Sequence, residues 1–188
     1  MSNRGVFPFP TLGQESALAA QWFIIGRFRV EHEGVTRFSF DGIPQIYNHL
    51  RVTSVFRSTS TVPPFGPLYA QFNNDTAAVY GYQEVYAQNS SSAAAGFQEN
   101  GITANIWGYG GTTATPAIVC VSDAFIPFYR NTTFPKRYTV TYAYQRTIIV
   151  SSSYWDRTDA IQSIQLSTST AGGNSFWIGS EFILYAGF

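Results

Sequence analysis

Charged side chains are scarce in this chain of 188 residues. Aspartate, glutamate, lysine and arginine make up 12% of it, about half of the roughly 25% that is usual for soluble domains. The formal net charge is zero, so the basic surface that a nucleic-acid-binding protein needs is missing. Few charges together with 17% aromatic residues favour association with other protein surfaces. We therefore expect a homo-oligomer and no nucleic-acid partner.

Long hydrophobic runs and paired cysteines are also missing. The longest candidate for an apolar segment, residues 117–124, is strand-sized and far below the ~20 residues that span a bilayer. We expect neither a secretion signal nor a membrane partner. The single cysteine, Cys120, excludes an internal disulfide, and its neighbours Val119 and Val121 predict a buried, unreactive thiol.

Motifs that carry chemistry are not found. His32 and His49 are the only histidines, and no metal ligand or nucleophile lies at a suitable spacing from either of them. The sequence has no Gly-x-Ser-x-Gly, no phosphate-binding glycine loop and no paired-cysteine motif. Four aspartates lack the spacing of a calcium loop; they are Asp75, Asp123, Asp156 and Asp159. We predict that the protein is not an enzyme and holds no metal or cofactor.

The first 21 residues differ from the rest and predict an extended N-terminal arm. They include Phe7, Pro8, Phe9 and Pro10, followed by Leu12. Proline lacks an amide donor and favours extended backbone, so a strand within a sheet is not expected there. We therefore divide the chain into an arm, residues 1–21, and one domain, residues 22–188.

From Trp22 onward, short runs rich in Val, Ile, Thr, Tyr and Phe alternate with clusters of Gly, Pro, Asn and Asp, which is typical of an all-β protein. The predicted strands are 22–30, 35–41, 49–58, 68–72, 79–87, 102–107, 117–126, 137–145, 148–155, 161–166 and 176–186. Residues 62–67, 89–95 and 109–112 are predicted to be loops or turns. A jelly-roll-like antiparallel β-sandwich is preferred to a closed barrel, because the long, irregular loops suit Greek-key connections.

Four short motifs stand out between residues 38 and 188. They are Ile43-Pro44-Gln45-Ile46-Tyr47-Asn48-His49-Leu50, Phe72-Asn73-Asn74-Asp75-Thr76 with Tyr80-Gly81-Tyr82, Ile161-Gln162-Ser163-Ile164, and Gly179-Ser180-Glu181-Phe182-Ile183-Leu184-Tyr185. In this order they resemble a family of tailed-phage virion proteins that carries Ile-Pro-Gln-x-Tyr-x-His-Leu between two strands. The arm and residues 102–111 depart from that pattern.

The resemblance implies a structural protein of the virion with a jelly-roll-like sandwich, such as a capsid decoration (cement) protein, a head fibre or a tail appendage. We expect a decoration protein on the capsid exterior, which stabilises the shell by binding the major capsid protein and is commonly a trimer. The arm would lie across neighbouring capsid subunits, with Phe7 and Phe9 as anchors; Pro8, Pro10 and Leu12 complete the predicted contact.

The first motif has a structural role that follows from its residues. Gly42, just before it, permits a positive φ, and Pro44 has no amide to donate to a β-ladder. Tyr47 and Leu50 are expected to pack over the corner between two strands. His49 is expected to be a turn or core histidine.

An alternative function is a tail-fibre or head-fibre module that binds host glycans. Trp107, Tyr109 and Trp155 are the candidate platform, because sugar rings stack on exposed aromatic side chains. The competing interpretation is that these residues fill the sandwich and the subunit interface.

Overall fold

A computed structural model describes residues 21–61, 66–88, 91–111, 118–168 and 174–188 of this protein. Within those ranges the secondary structure consists of strands without helices, so no described helix could cross a membrane. The strands are β1 Trp22–Arg29, β2 Arg37–Phe40, β3 His49–Phe56, β4 Gly66–Phe72, β5 Tyr80–Gln88, β6 Ser91–Ile102, β7 Asn105–Gly110, β8 Cys120–Pro127, β9 Lys136–Tyr144, β10 Thr147–Trp155, β11 Ile164–Thr168 and β12 Glu181–Gly187.

The strands form two antiparallel sheets with jelly-roll connectivity. The larger sheet has the order β1-β12-β3-β8-β9-β10-β5-β6, and the smaller has the order β2-β11-β4-β7. Eight pairs of consecutive strands divide between the two sheets, among them β1/β2, β3/β4, β7/β8 and β11/β12. That crossing pattern is expected of a double Greek key. The hairpins β5–β6 and β9–β10 widen the larger sheet beyond its jelly-roll strands, and the predicted fold class is confirmed.

The core forms between the sheets because apolar residues alternate along the strands. In β9 every second side chain from Lys136 to Tyr142 is buried and those between are exposed, as a pleated strand with one covered face requires. Aromatic rings then join the two sheets. Phe72 of β4 lies 5.3 Å from Tyr138 of β9, and Phe38 of β2 lies 4.8 Å from Phe182 of β12, measured between ring centroids.

All three loop predictions were wrong in part. Gly66 and Pro67, expected in the loop 62–67, begin β4 and pair with β7. The backbone from Ser91 onward belongs to β6 and pairs with β5, although residues 89–95 were expected to be a loop. Pairing with a neighbouring strand satisfies the backbone groups and outweighs the weak strand preference of Ser and Ala. Tyr109 and Gly110, expected in a turn, lie within β7 and pair with β4.

One predicted strand is in fact two. Residues 102–107 contain the end of β6 and the start of β7, separated by a bend at Thr103 and Ala104. The bend moves the chain from the larger sheet to the smaller. A local apolar pattern carries no information about which sheet a strand joins, so this break was not visible in the sequence.

The predicted arm lies almost entirely outside the described residues. Phe7, Pro8, Phe9, Pro10 and Leu12 belong to residues 1–20, of which the structure gives no description. Gln21 is exposed and leads directly into β1, which is an edge strand of the larger sheet. The chain therefore enters the domain at a sheet edge.

Candidate functional site

The segment of the first motif forms a tightly bonded corner between β2 and β3. Gly42 has a φ of 66°, a conformation that glycine adopts without steric cost. The side-chain amide of Gln45 donates hydrogen bonds to the carbonyl oxygens of Ile43 at 2.8 Å and Ile161 at 2.9 Å. The motif is thereby tied to the segment before β11.

Tyr47, His49 and Leu50 of this motif lie in the core or at its edge, and Pro44 is bonded to a core residue. The hydroxyl of Tyr129 donates to the carbonyl of Pro44, and Leu50 is buried. Tyr47 packs on Phe188, with ring centroids 5.0 Å apart. His49 is half-buried, and burial lowers the pKa of its imidazole. These contacts describe a structural corner rather than a reactive site.

Asn73, in the turn after β4, connects the second and third motifs. Its φ of 51° lies in the left-handed region, which Asn tolerates better than most residues. Its side-chain oxygen accepts the backbone N–H groups of Gln162 at 2.7 Å and Ser163 at 3.1 Å. Its side-chain nitrogen donates to the carbonyl of Ala160 at 2.8 Å. One side chain thus fixes the loop that precedes β11.

Asp75 performs a similar role for the end of β10. Its carboxylate accepts hydrogen bonds of 3.0 Å each from the backbone N–H of Ala77, the indole N–H of Trp155 and the Arg157 guanidinium. Burial alone would raise the pKa of Asp75, but these hydrogen bonds and the positive charge of Arg157 outweigh it, and the pKa is lowered. The carboxylate is therefore held ionised.

An open polar cavity of about 690 Å³ lies beside Asn73 and Asp75, at one end of the sandwich. It is lined by Asn73, Asp75, Thr132, Trp155, Arg157, Asp159, Ala160, Gln162 and Ser163. Lys136 bonds to residues next to this lining in sequence: its buried ammonium donates to the carbonyls of Asn131 at 2.5 Å and Thr158 at 3.0 Å. Burial lowers the pKa of Lys136, and the charge of Asp159 partly opposes that effect.

The residues predicted as a glycan platform are in the interior. Trp107 is 0% exposed and Trp155 is 1% exposed, so neither indole presents a face on which a sugar could stack. Tyr109 is half-buried and packs on Tyr142 and Tyr144. This corrects the expectation of an exposed platform: β7 and β10 direct these rings between the two sheets, where they fill the core.

An exposed tryptophan that the sequence analysis did not single out is Trp177, in the loop before β12. It is 43% exposed, and the Arg57 guanidinium lies 4.5 Å from the centroid of its ring. The strand pattern alone gave no signal for this exposure, because Trp177 follows the buried Phe176 and falls within a segment that was predicted to be a strand.

Groups with reactive chemistry are few in the described ranges. Cys120 is fully buried, and burial raises the pKa of its thiol to about 12. His32 lies in an exposed turn between β1 and β2. No cluster of three or more His, Cys, Asp or Glu side chains that could hold a metal ion occurs among the residues whose structure is described.

The outer face of the larger sheet, which points away from the smaller sheet, carries an apolar patch. We define this patch by five side chains, each between 50% and 53% exposed: Val55, Val85, Val121, Ile148 and Val150. They are neighbours in the sheet. Val55 pairs with Val121, and Val150 pairs with Val85.

Ala143 completes the patch, and an ion pair without net charge borders it. Ala143 lies between Val121 and Ile148 in the register. Arg51 and Asp123 form a two-point ion pair on the same face, with Nε–Oδ1 at 2.9 Å and Nη2–Oδ2 at 2.5 Å. The outer face therefore offers half-exposed aliphatic side chains with paired charges at their edge.

A proposal of function for this chain rests on the fold and on the surfaces described above. No protein-family model matches the chain. A search of curated proteins also finds no match.

Proposed function

We propose that this chain is a structural protein of a tailed-phage particle, a capsid decoration protein that binds the exterior of the capsid shell as an oligomer. The resemblance of its four motifs to a phage virion family supports the proposal. In the fold, these motifs serve as structural braces: Gln45, Asn73 and Asp75 use their polar side chains to fix turns. Motifs whose residues stabilise turns favour a structural protein that functions by binding other proteins through its surface.

The observation that carries the proposal is the apolar patch on the outer face. Five β-branched side chains are about half exposed and share this face as two cross-strand pairs with Ile148 beside them. They exceed the scattered single apolar residues of an ordinary surface. Covering a Val or Ile side chain fully is worth about 1.5–3 kcal/mol. The patch is therefore a surface that gains stability when another protein covers it.

A second copy of this chain is the partner that best fits the patch. The formal charge of the chain is zero, so copies do not repel one another through net charge. The charges beside the patch, Arg51 and Asp123, already neutralise each other. Aliphatic side chains of two copies can therefore meet without leaving an unpaired charge in the interface. The trimer implied by the resemblance is one arrangement that buries this surface.

The arm supplies the contact to the shell in this proposal. Phe7 and Phe9 would occupy pockets on the major capsid protein, with Pro8, Pro10 and Leu12 beside them. An extended segment covers a large area, and its prolines reduce the entropy lost on binding. In this proposal the domain binds other copies of the chain, and the arm binds the capsid.

Electron microscopy of intact particles tests the proposed location. Gold-labelled antibodies against the full chain should decorate the outside of the head shell. Particles that lack the protein should carry no label and should regain it when purified protein is added. Label confined to the tail, or no label on intact particles, would contradict the proposal.

A further inference from the structure

Trp177 is held in a fixed position by its backbone. Its N–H donates to the carbonyl of Arg57 at 2.9 Å, and its carbonyl accepts the N–H of Ser180 at 3.1 Å. The preceding residue, Phe176, donates to the carbonyl of Val35 at 2.7 Å. The main chain on both sides of the indole is thereby anchored, which lowers the entropic cost of using the ring as a contact surface.

A cation packs on this indole, and part of the residue is exposed. The Arg57 guanidinium lies 4.5 Å from the ring centroid, which is within the range of a cation–π contact. Trp177 is still 43% exposed beside this contact, so part of its surface is available to a ligand.

A cavity of about 280 Å³ adjoins the ring. Apolar lining comes from Phe176, Trp177 and Ile178, and polar lining comes from Glu33, Thr59 and Ser175, with Gly34 beside them. Thr59 and Ser175 are bonded to each other, since the backbone N–H of Ser175 donates to Thr59 Oγ1 at 2.8 Å. The carboxylate of Glu33 makes no hydrogen bond or ion pair within the described ranges and is free to accept one from a ligand.

We infer that the cavity beside Trp177 binds one ring of a neutral saccharide. A sugar ring has an apolar C–H face, which packs on an indole, and a rim of hydroxyls, which donate to a carboxylate such as Glu33. The cavity is slightly smaller than the roughly 300–1,000 Å³ of small-molecule sites, so it suits a single ring. The negative charge of Glu33 disfavours acidic sugars.

This site is independent of the proposed assembly. It shares no residue with the apolar patch, and the sugar contacts do not require a second copy. Variants of the patch and variants of the cavity therefore separate the two ideas. Val121→Glu should bind the same saccharide as the parent chain, whatever it does to self-association.

The test begins with the full chain on an array of neutral and acidic glycans. The strongest neutral binder is then titrated, as its methyl glycoside, into the parent and four variants. Trp177→Ala and Glu33→Gln should each weaken binding roughly tenfold or more, the equivalent of one lost stacking or charged hydrogen-bonding contact. Trp177→Phe should retain part of the affinity. Glu31→Gln, an exposed glutamate of the same loop that does not line the cavity, should bind as the parent does.

NMR of the indole N–H groups locates the site directly. During the titration the Trp177 signal should shift, whereas those of the buried Trp107 and Trp155 should stay in place. Failure of every neutral glycan to bind would overturn the inference. So would binding that survives both Trp177→Ala and Glu33→Gln, or a shift of Trp155 without one of Trp177, which would place the ligand in the larger polar cavity.

Discussion

Asn73 accepts the backbone N–H of Gln162 at 2.7 Å across a sequence separation of 89 residues. The carbonyl of Gln162 in turn accepts the backbone N–H of Ile43 at 2.9 Å. Three of the four sequence motifs therefore meet at residue 162, and their polar groups satisfy one another. The motifs hold together the end of the sandwich at which three loops converge.

Asn73→Ala should destabilise the protein by about 1–3 kcal/mol, because the partly buried backbone N–H of Ser163 and the exposed N–H of Gln162 both lose their acceptor. Asn74→Ala is the matched control. Asn74 also has a positive φ, of 55°, but its side chain makes only a long hydrogen bond of 3.4 Å with Gln165. Urea unfolding of both variants measures the difference. Equal losses of stability would show that the backbone conformation, and not the bridge, is what Asn73 contributes.

Acid should remove the stabilisation provided by Asp75. The pKa of its carboxyl is lowered in the folded protein, so its contribution is fully present above the unfolded pKa of about 3.9. That contribution is lost as the pH falls through the lower folded pKa. Thermal unfolding between pH 7 and pH 2 should show the gap between the parent and Asp75→Asn narrowing below about pH 4.

Asp156→Asn is the control for this pH dependence, since Asp156 is exposed and lies one residue before Arg157. The Asp156→Asn variant should lose stability at low pH to the same extent as the parent. A gap between the parent and Asp75→Asn that stays constant down to pH 2 would contradict the assigned role of Asp75.

Cys120 should be protected from thiol reagents in the folded protein. It is fully buried, and burial raises its pKa to about 12, so both access and thiolate formation are suppressed. Labelling with a chromogenic disulfide at pH 8 should follow global unfolding and accelerate in urea in step with the unfolded fraction. Rapid stoichiometric labelling in native buffer would show that the β8 region opens locally.

Much of the fold could be predicted from local patterns, and the errors have a common physical cause. The alternation in β9 depends on one buried face, which sequence periodicity reports directly. The strand β6 was missed because Ser91 and its neighbours have weak strand preferences and extend only through pairing with β5. Pairing between distant segments is not encoded in a local window.

The candidate sites were harder to predict for the same reason. Trp107 and Trp177 both lie in strand-like sequence, yet one ring is enclosed by two sheets and the other is exposed beside Arg57. The apolar patch was also invisible. Val55, Val121 and Ile148 are distant in sequence and become neighbours only through the register of β3, β8, β9 and β10. A surface is a property of the assembled sheet.

Deletion of residues 1–21 should abolish binding to capsids and leave a folded oligomer. The proposal assigns the shell contact to the arm, whereas the two sheets are built from residues 22–188. Co-sedimentation with particles that lack the protein measures occupancy, and circular dichroism reports the fold. Replacing only Phe7 and Phe9 with Ala should lower occupancy without affecting the oligomer. Unchanged occupancy after the deletion would contradict the role of the arm.

Sedimentation velocity of the full chain tests the central claim, that the apolar patch binds a second copy. The parent should sediment as an oligomer at micromolar concentration. Val121→Glu combined with Ile148→Glu should yield folded monomers, because carboxylates from facing copies would be forced together without a partner. Ile46→Glu, at a loop position that is 65% exposed, should remain oligomeric. A monomeric parent, or an oligomer that is unaffected by the two glutamates in the patch, would contradict the account.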